Sequence, residues 1–227
     1  MGPLATLDFM HKMLRATPAA QDQEHVPSVI CSIPQIPDRT EAWCGRGPSP
    51  LPALLESAAR LRQAGAEIIV MPCNTAHLWF DDIEQEVGMP MLHIVDAAIE
   101  DAAPGLQGDV RLGLLATEAT LNAGLYVNRA HQSGARSEWI LPSVAEMAEL
   151  VTPGIAAIKL AQLDLGHHLL ALAAAALRAR GATALVLGCT EIPIVLNEKN
   201  TSLRIVDATD SLARRAVQWS LRHGDAT

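Results

Sequence analysis

Leu61–Thr75 reads LRQAGAEIIVMPCNT, and Leu177–Glu191 reads LRARGATALVLGCTE. The two stretches align without a gap at an offset of 116, and Leu, Arg, Gly, Ala, Val and Cys coincide at six of the fifteen positions. Each copy runs from a helix end through a glycine into an apolar stretch of strand length, and each stretch ends at a cysteine, Cys73 or Cys189. Glycine suits the position just past a helix, because it adopts the left-handed conformation without a Cβ clash. An internal duplication of an α/β unit explains both copies at once. Further along, Ile94–Ala97 and Ile205–Ala208 both spell IVDA after a short strand lead-in, which suggests the same order of elements in each half.

Outward from these copies, apolar runs of strand length alternate with helical patterns. The strands are expected at Pro27–Ile33, Glu67–Met71, Met91–Val95, Val110–Leu115, Glu138–Leu141, Thr183–Leu187 and Leu203–Val206. The helices are expected near Leu4–Ala16, Pro50–Gln63, Thr75–Glu86, Glu118–Gln132, Gly154–Arg180, Glu191–Leu196 and Thr209–Arg222. Such alternation predicts parallel strands joined by right-handed crossovers. The expected fold is α/β: two similar lobes from an internal duplication, each a parallel sheet flanked by helices, with the active site in the cleft between them. The first lobe would take residues 1–97 and 207–227, the second 98–206. The offset of 116 places the counterpart of strand Val110–Leu115 ahead of Met1, so the first lobe is expected to lack its opening strand. Pro34–Ser49, with three Pro and two Gly, is the longest irregular stretch; loops of that length are often functional.

Composition narrows the function. The 227 residues carry a net charge of −8, without any window rich in Lys and Arg, which makes nucleic acid a poor partner. A small anion stays possible, because a local basic pair can outweigh the overall sign. No stretch approaches the ~18 apolar residues of a membrane span, and the N-terminus, Met1 to Leu14, lacks the apolar core of a signal peptide. Cys31, Cys44, Cys73 and Cys189 are widely and irregularly spaced, unlike a secreted disulfide framework. Reduced thiols and a cytoplasmic location are expected.

In parallel α/β sheets, ligands sit beyond the carboxyl ends of strands, where Cys73 and Cys189 both fall. Helix N-termini at those places would stabilise an anion and lower a thiol pKa. Two sulfurs reaching one cleft from opposite halves suit inversion at carbon: one thiolate removes the Cα proton and the opposite thiol supplies one to the other face. Asn74, Thr75 and Thr190 follow the cysteines directly and can hold a carboxylate. A lone cysteine is most often a small buried hydrophobe, and for Cys31 and Cys44 that reading stands. Recurrence at one position of a repeat is what sets Cys73 and Cys189 apart.

Pro72-Cys73-Asn74-Thr75-Ala76-His77 together with Gly188-Cys189-Thr190-Glu191 resembles the paired signature of the aspartate/glutamate racemases, aspartate racemases most closely. The resemblance runs over nearly the whole chain and includes Met1-Gly2-Pro3, Pro37-Asp38-Arg39-Thr40, Gly113-Leu114-Leu115-Ala116-Thr117 and Ile158-Lys159. It implies a cytoplasmic isomerase in which the two cysteines are the acid/base pair, with no pyridoxal phosphate, other cofactor or metal, and a homodimer. It further implies that Arg39 and Lys159 bind the substrate's side-chain carboxylate from opposite lobes. Thr117 would be another substrate contact, and Thr6 a weaker one. The family usually opens with a strand running into Gly-Gly-Met-Gly-Pro, whereas this sequence starts at the Met, and Ala119 stands where Gly is usual.

Other readings compete with these. Cys73 and His77 could form half of a zinc site, but no second ligand pair at suitable spacing appears. His77 and Glu191 fit better as groups that orient or tune the thiols, or as helix caps. Asp96 and Asp207 read as N-caps, and His167-His168 as one buried and one exposed residue of a helix. A related decarboxylase or cis–trans isomerase using one cysteine, and a silent amino-acid binder, are the competing functions.

Overall fold

The computed structural model describes residues 2–102, 111–134 and 137–223. Its helices are α1 (Pro3–Ala16), α2 (Arg39–Trp43), α3 (Leu51–Gln63), α4 (Phe80–Val87), α5 (Ile94–Ala102), α6 (Glu118–Asn122), α7 (Leu125–Gln132), α8 (Val144–Glu146), α9 (Thr152–Lys159), α10 (Leu163–Ala179) and α11 (Ala208–His223). The strands are β1 (Ile69–Val70), β2 (Met91–Leu92), β3 (Arg111–Ala116), β4 (Glu138–Ile140), β5 (Ala184–Gly188) and β6 (Arg204–Asp207). They form two parallel sheets, β1-β2 and β4-β3-β5-β6. The expected architecture is present, with a duplicated α/β unit and helices against each sheet.

Alternation along the strands explains how the larger sheet is buried on both faces. Leu112, Leu114, Ala184, Val186 and Val206 point into a core shared with α1, α5 and α11. Leu115, Leu185 and Leu187 point the other way, into a core closed by α9 and α10. A third core, around Leu54, Ile69, Met71, Phe80 and Ile83, closes the smaller sheet under α3 and α4. Gly65 and Gly181 end the two copies' helices at φ 85 and 99, the left-handed stop expected of them.

Several boundaries differ from expectation. Pro27–Ile33 joins no sheet, and Val29 and Ile30 in it are exposed. It occupies the place in the chain order that β4 holds in the other half. There β4 pairs with β3, whereas Pro27–Ile33 pairs with no strand among the described residues. The expected helix 118–132 breaks at Gly124, which is left-handed. The expected helix 154–180 is a hairpin, α9 and α10, turning at Leu160–Gln162, with Ala161 at φ 59. An unbroken Ala/Leu pattern hides that turn. The two helices meet at glycines: a Cβ on Gly166 would lie 2.6 Å from Ile158 and one on Gly154 2.9 Å from Leu170. His168 on α10 is exposed and His167 half-buried. Val110 of the expected second-half strand lies outside the described residues.

The IVDA match is not a structural equivalence. Ile69 pairs with Met91, and its repeat counterpart Leu185 pairs with Ile205. Met91 rather than Ile94 therefore corresponds to Ile205, and His93 to Asp207. The local chemistry agrees. Asp207 caps α11 by accepting from the Thr209 amide at 2.9 Å, and His93 Nδ1 accepts from the Val95 amide at 3.2 Å, also two residues on. Asp207 is thus an N-cap as expected, whereas Asp96 lies inside α5 and pairs with Arg129.

Candidate active site

Beyond β1 the chain bends through Met71–Cys73, with the Cys73 amide donating to the Met71 carbonyl at 2.7 Å. Cys73 is 9% exposed, and a short 3-10 turn, Thr75–Trp79, follows it before α4. Cys189 directly follows β5, is 4% exposed, and precedes the 3-10 turn Ile192–Ile194. A full helix was expected after each cysteine. Three residues of 3-10 turn align too few peptide dipoles to give Cys189 the anticipated anion-stabilising field.

The electrostatics at Cys189 run opposite to that expectation. Its Sγ donates to Glu191 Oε2 at 3.1 Å, and Thr190 Oγ1 donates to the same oxygen at 3.3 Å. Burial and then the Glu191 charge push this thiol well above its ordinary pKa. Cys189 is held as a thiol with a proton acceptor in contact.

Both cysteines line one small cleft together with Asp38, Arg39, Thr40, Asn74, Thr75, Thr117, Lys159, Thr190 and Glu191. Asn74 is 2% exposed; its Oδ1 accepts from the Tyr126 hydroxyl at 2.5 Å, and its Nδ2 has no partner among the described residues. Thr75, Thr117 and Thr120 form a hydroxyl cluster, Thr75 Oγ1 lying 2.8 Å from Thr117 Oγ1 and 3.2 Å from Thr120 Oγ1. Arg39 opens α2, whose N-cap Asp38 accepts from the Thr40 and Glu41 amides. The Arg39 guanidinium donates to the Ile36 and Pro37 carbonyls at 3.2 and 3.0 Å, while its buried Nε is unpartnered among the described residues. Lys159 ends α9 and reaches Asp38 at 3.7 Å, a contact that joins α9 to the start of α2.

His77, unlike every other residue assigned to the site except the weaker candidate Thr6, does not line the cleft. It is buried beneath it, and burial lowers its pKa to about 4. Its Nε2 accepts from the Ile94 amide at 3.1 Å, which leaves the ring proton on Nδ1, donated to the Cys73 carbonyl at 2.9 Å. With both nitrogens bonded to backbone, the ring has no lone pair for a metal, which counts against the zinc reading. Thr6 lies inside α1 and bonds the Gly2 carbonyl.

Sequence reasoning missed Asp38, Thr40, Thr120 and Tyr126. Asp38 stood in plain view inside Pro37-Asp38-Arg39-Thr40. Tyr126 gave no signal, because a single aromatic on a helix reads as ordinary core.

Comparison with known proteins gives the family. The family model for Asp/Glu/hydantoin racemases matches residues 1–216. The broad-specificity amino-acid racemase RacX of Bacillus subtilis is 27% identical, over 98% of this chain and 96% of that protein. Among solved structures, Picrophilus torridus aspartate racemase superposes with a TM-score of 0.85 at 29% identity, over 96% of this chain and 90% of that one. An aspartate racemase homologue from Pyrococcus horikoshii gives a TM-score of 0.73 at 26% identity, over 96% and 95%. The chain belongs to the Asp/Glu/hydantoin racemase family and is an isomerase.

Proposed function

We propose that this chain inverts Cα of an acidic amino acid, aspartate before glutamate, by transferring protons between Cys73 and Cys189 without a cofactor. The observation that carries this reading is the shared cleft: two buried cysteines from equivalent positions of a duplicated unit, with amide, hydroxyl and cationic groups between them. Asn74 Nδ2 and the hydroxyls of Thr75, Thr117 and Thr190 suit the α-carboxylate and the charge that grows on it as the Cα proton leaves. Arg39 and Lys159 suit the side-chain carboxylate. Glu191 would take the proton of Cys189 when that sulfur must act as base, and return it when Cys189 acts as acid. The space between these groups is about 20 Å³, close to that of one water.

The test is Cα deuterium incorporation from L- and D-aspartate in deuterated water, with optical rotation followed in parallel. Cys73→Ser and Cys189→Ser are each expected to abolish inversion, because both faces of Cα need a thiol. Near-full racemisation by either variant would rule out the two-thiol mechanism. Exchange without inversion would favour a one-cysteine isomerase or decarboxylase, and binding without exchange a silent binder.

A second reading, of broader side-chain acceptance, is favoured by an adjoining cavity of about 380 Å³. Pro3, Leu4, Pro34, Ile36 and Ile158 give it an apolar lining, and it shares Asp38, Arg39, Lys159 and Glu191 with the cysteine cleft. The similarity to a racemase named for broad specificity points the same way. Leucine and methionine in the same exchange assay separate the two readings.

A further inference from the structure

Tyr126 is fully buried on α7, in the half that carries β3 to β6, yet it touches the segments bearing both cysteines. Its hydroxyl donates to Oδ1 of Asn74, the residue after Cys73, at 2.5 Å. Its ring edge approaches Gly188, the residue before Cys189, so closely that a Cβ there would lie 3.0 Å from Tyr126 Cε2 and 2.9 Å from Leu114 Cδ1. Only a residue without a side chain lets β5 and the ring meet this way. The ring is fixed from behind by Trp139, edge-on at 5.9 Å between centroids.

We infer that Tyr126 is a positioning residue that fixes the Asn74 amide with its NH2 available to the substrate carboxylate and locks the two cysteine segments in register. The inference rests on the racemase reading and adds a residue that acts through Asn74. An amide can present either its oxygen or its nitrogen to a ligand. A hydroxyl donor on Oδ1 decides the matter, because the oxygen is then occupied and Nδ2, which has no partner among the described residues, is left to donate. An amide turned the other way would face a carboxylate with its oxygen and repel it. Burial pushes the phenol well above its ordinary pKa, with the charges of Asp207 and Cys189 adding to this, so the group stays a donor.

The test is a double-mutant cycle on Tyr126→Phe and Asn74→Ala. Phenylalanine keeps the ring against Gly188 and Trp139 and removes only the donor. Tyr126→Phe alone should raise the aspartate KM and lower kcat/KM by about tenfold, with a smaller change in kcat. In the Asn74→Ala background the same change should cost less than twofold, because the group through which it acts is gone. A purely structural tyrosine would give the same loss in both backgrounds, and that result, or an unchanged KM in the single variant, overturns the inference. Aspartate binding measured by calorimetry on the same four proteins supplies a second cycle that needs no turnover. A wild type that binds aspartate without exchange defeats the racemase reading and leaves this cycle to decide the role of Tyr126.

Discussion

Cys189 and Glu191 are two residues apart, and the bend after β5 brings Sγ to 3.1 Å from a carboxylate oxygen. The carboxylate has two effects of opposite use. It raises the cost of a thiolate beside it, and it offers a place for the thiol proton to go. Glu191→Gln separates them. Loss of the charge should bring the Cys189 thiol down toward its ordinary range and speed its alkylation by iodoacetamide at pH 8. Loss of the acceptor should at the same time slow racemisation by about 10²-fold, the usual worth of one proton-transfer group. Peptide mapping of the alkylated protein gives the first effect and polarimetry the second; parallel changes in both would refute this division of roles. At this scale the sequence was informative wherever chemistry recurred. Cys73, Asn74, Thr75, Cys189, Thr190 and Glu191 were legible because the repeat placed them twice beyond a strand. Tyr126 and Thr120 were not, since their roles depend on which atom of a distant segment they meet.

Among the elements, α2 shows how a short helix can carry a site. Its five residues cannot stabilise themselves, so it leans on the Asp38 cap. Partial burial alone would raise the Asp38 carboxyl, but the Glu41 amide, the charges of Lys159 and Arg39, and the Thr40 amide together hold it below its usual range. Asn caps a helix as well as Asp does, whereas Ala forfeits about 1 kcal/mol. Asp38→Asn should therefore keep stability in urea within a few tenths of a kcal/mol while releasing Lys159, which lowers the aspartate KM. Asp38→Ala should lose about 1 kcal/mol and raise the KM as α2 loosens around Arg39. Equal behaviour of the two variants would show that the cap does not position Arg39. Element boundaries were legible where glycine marks a stop, as at Gly65 and Gly181. They were lost where long-range pairing decides: Pro27–Ile33 has the composition of a strand but joins no sheet among the described residues. The IVDA match fell three residues out of register, because identical letters can serve a helix in one half and a strand in the other.

At the scale of the whole molecule, the two halves are joined by side chains near the cleft, and the floor of the first half rests on two buried histidines. His77 stacks on Phe80, and His93 meets His77 edge-on and Phe80 at a tilt, with ring centroids 4.6 to 5.5 Å apart. Burial lowers His77 to about 4, and burial together with the charges of His77 and Arg129 lowers His93 to about 2. Both rings also accept from backbone amides at the start of α5, bonds that a proton would abolish. In the unfolded chain these groups titrate near the ordinary value of 6.5. Below that pH the unfolded state binds protons that the folded state refuses. Stability from this source is complete above pH 6.5, falls as pH drops toward 4, and for His93 continues to fall below that. Asp207 acts in the opposite sense, since burial raises its carboxyl above the unfolded value of 3.8 and folding favours its protonated form; it is one group against two. Between pH 6.5 and 4 the histidines dominate, and each contributes a slope of about 1.4 kcal/mol per pH unit. Urea unfolding followed from pH 7 to pH 4.5 should show that loss. His77→Gln should flatten the slope by close to one proton, because glutamine can still donate to the Cys73 carbonyl but does not titrate. An unchanged slope in that variant would mean that His77 is solvated and charged in the folded protein, and that the Cys73 segment is held by something other than a neutral imidazole.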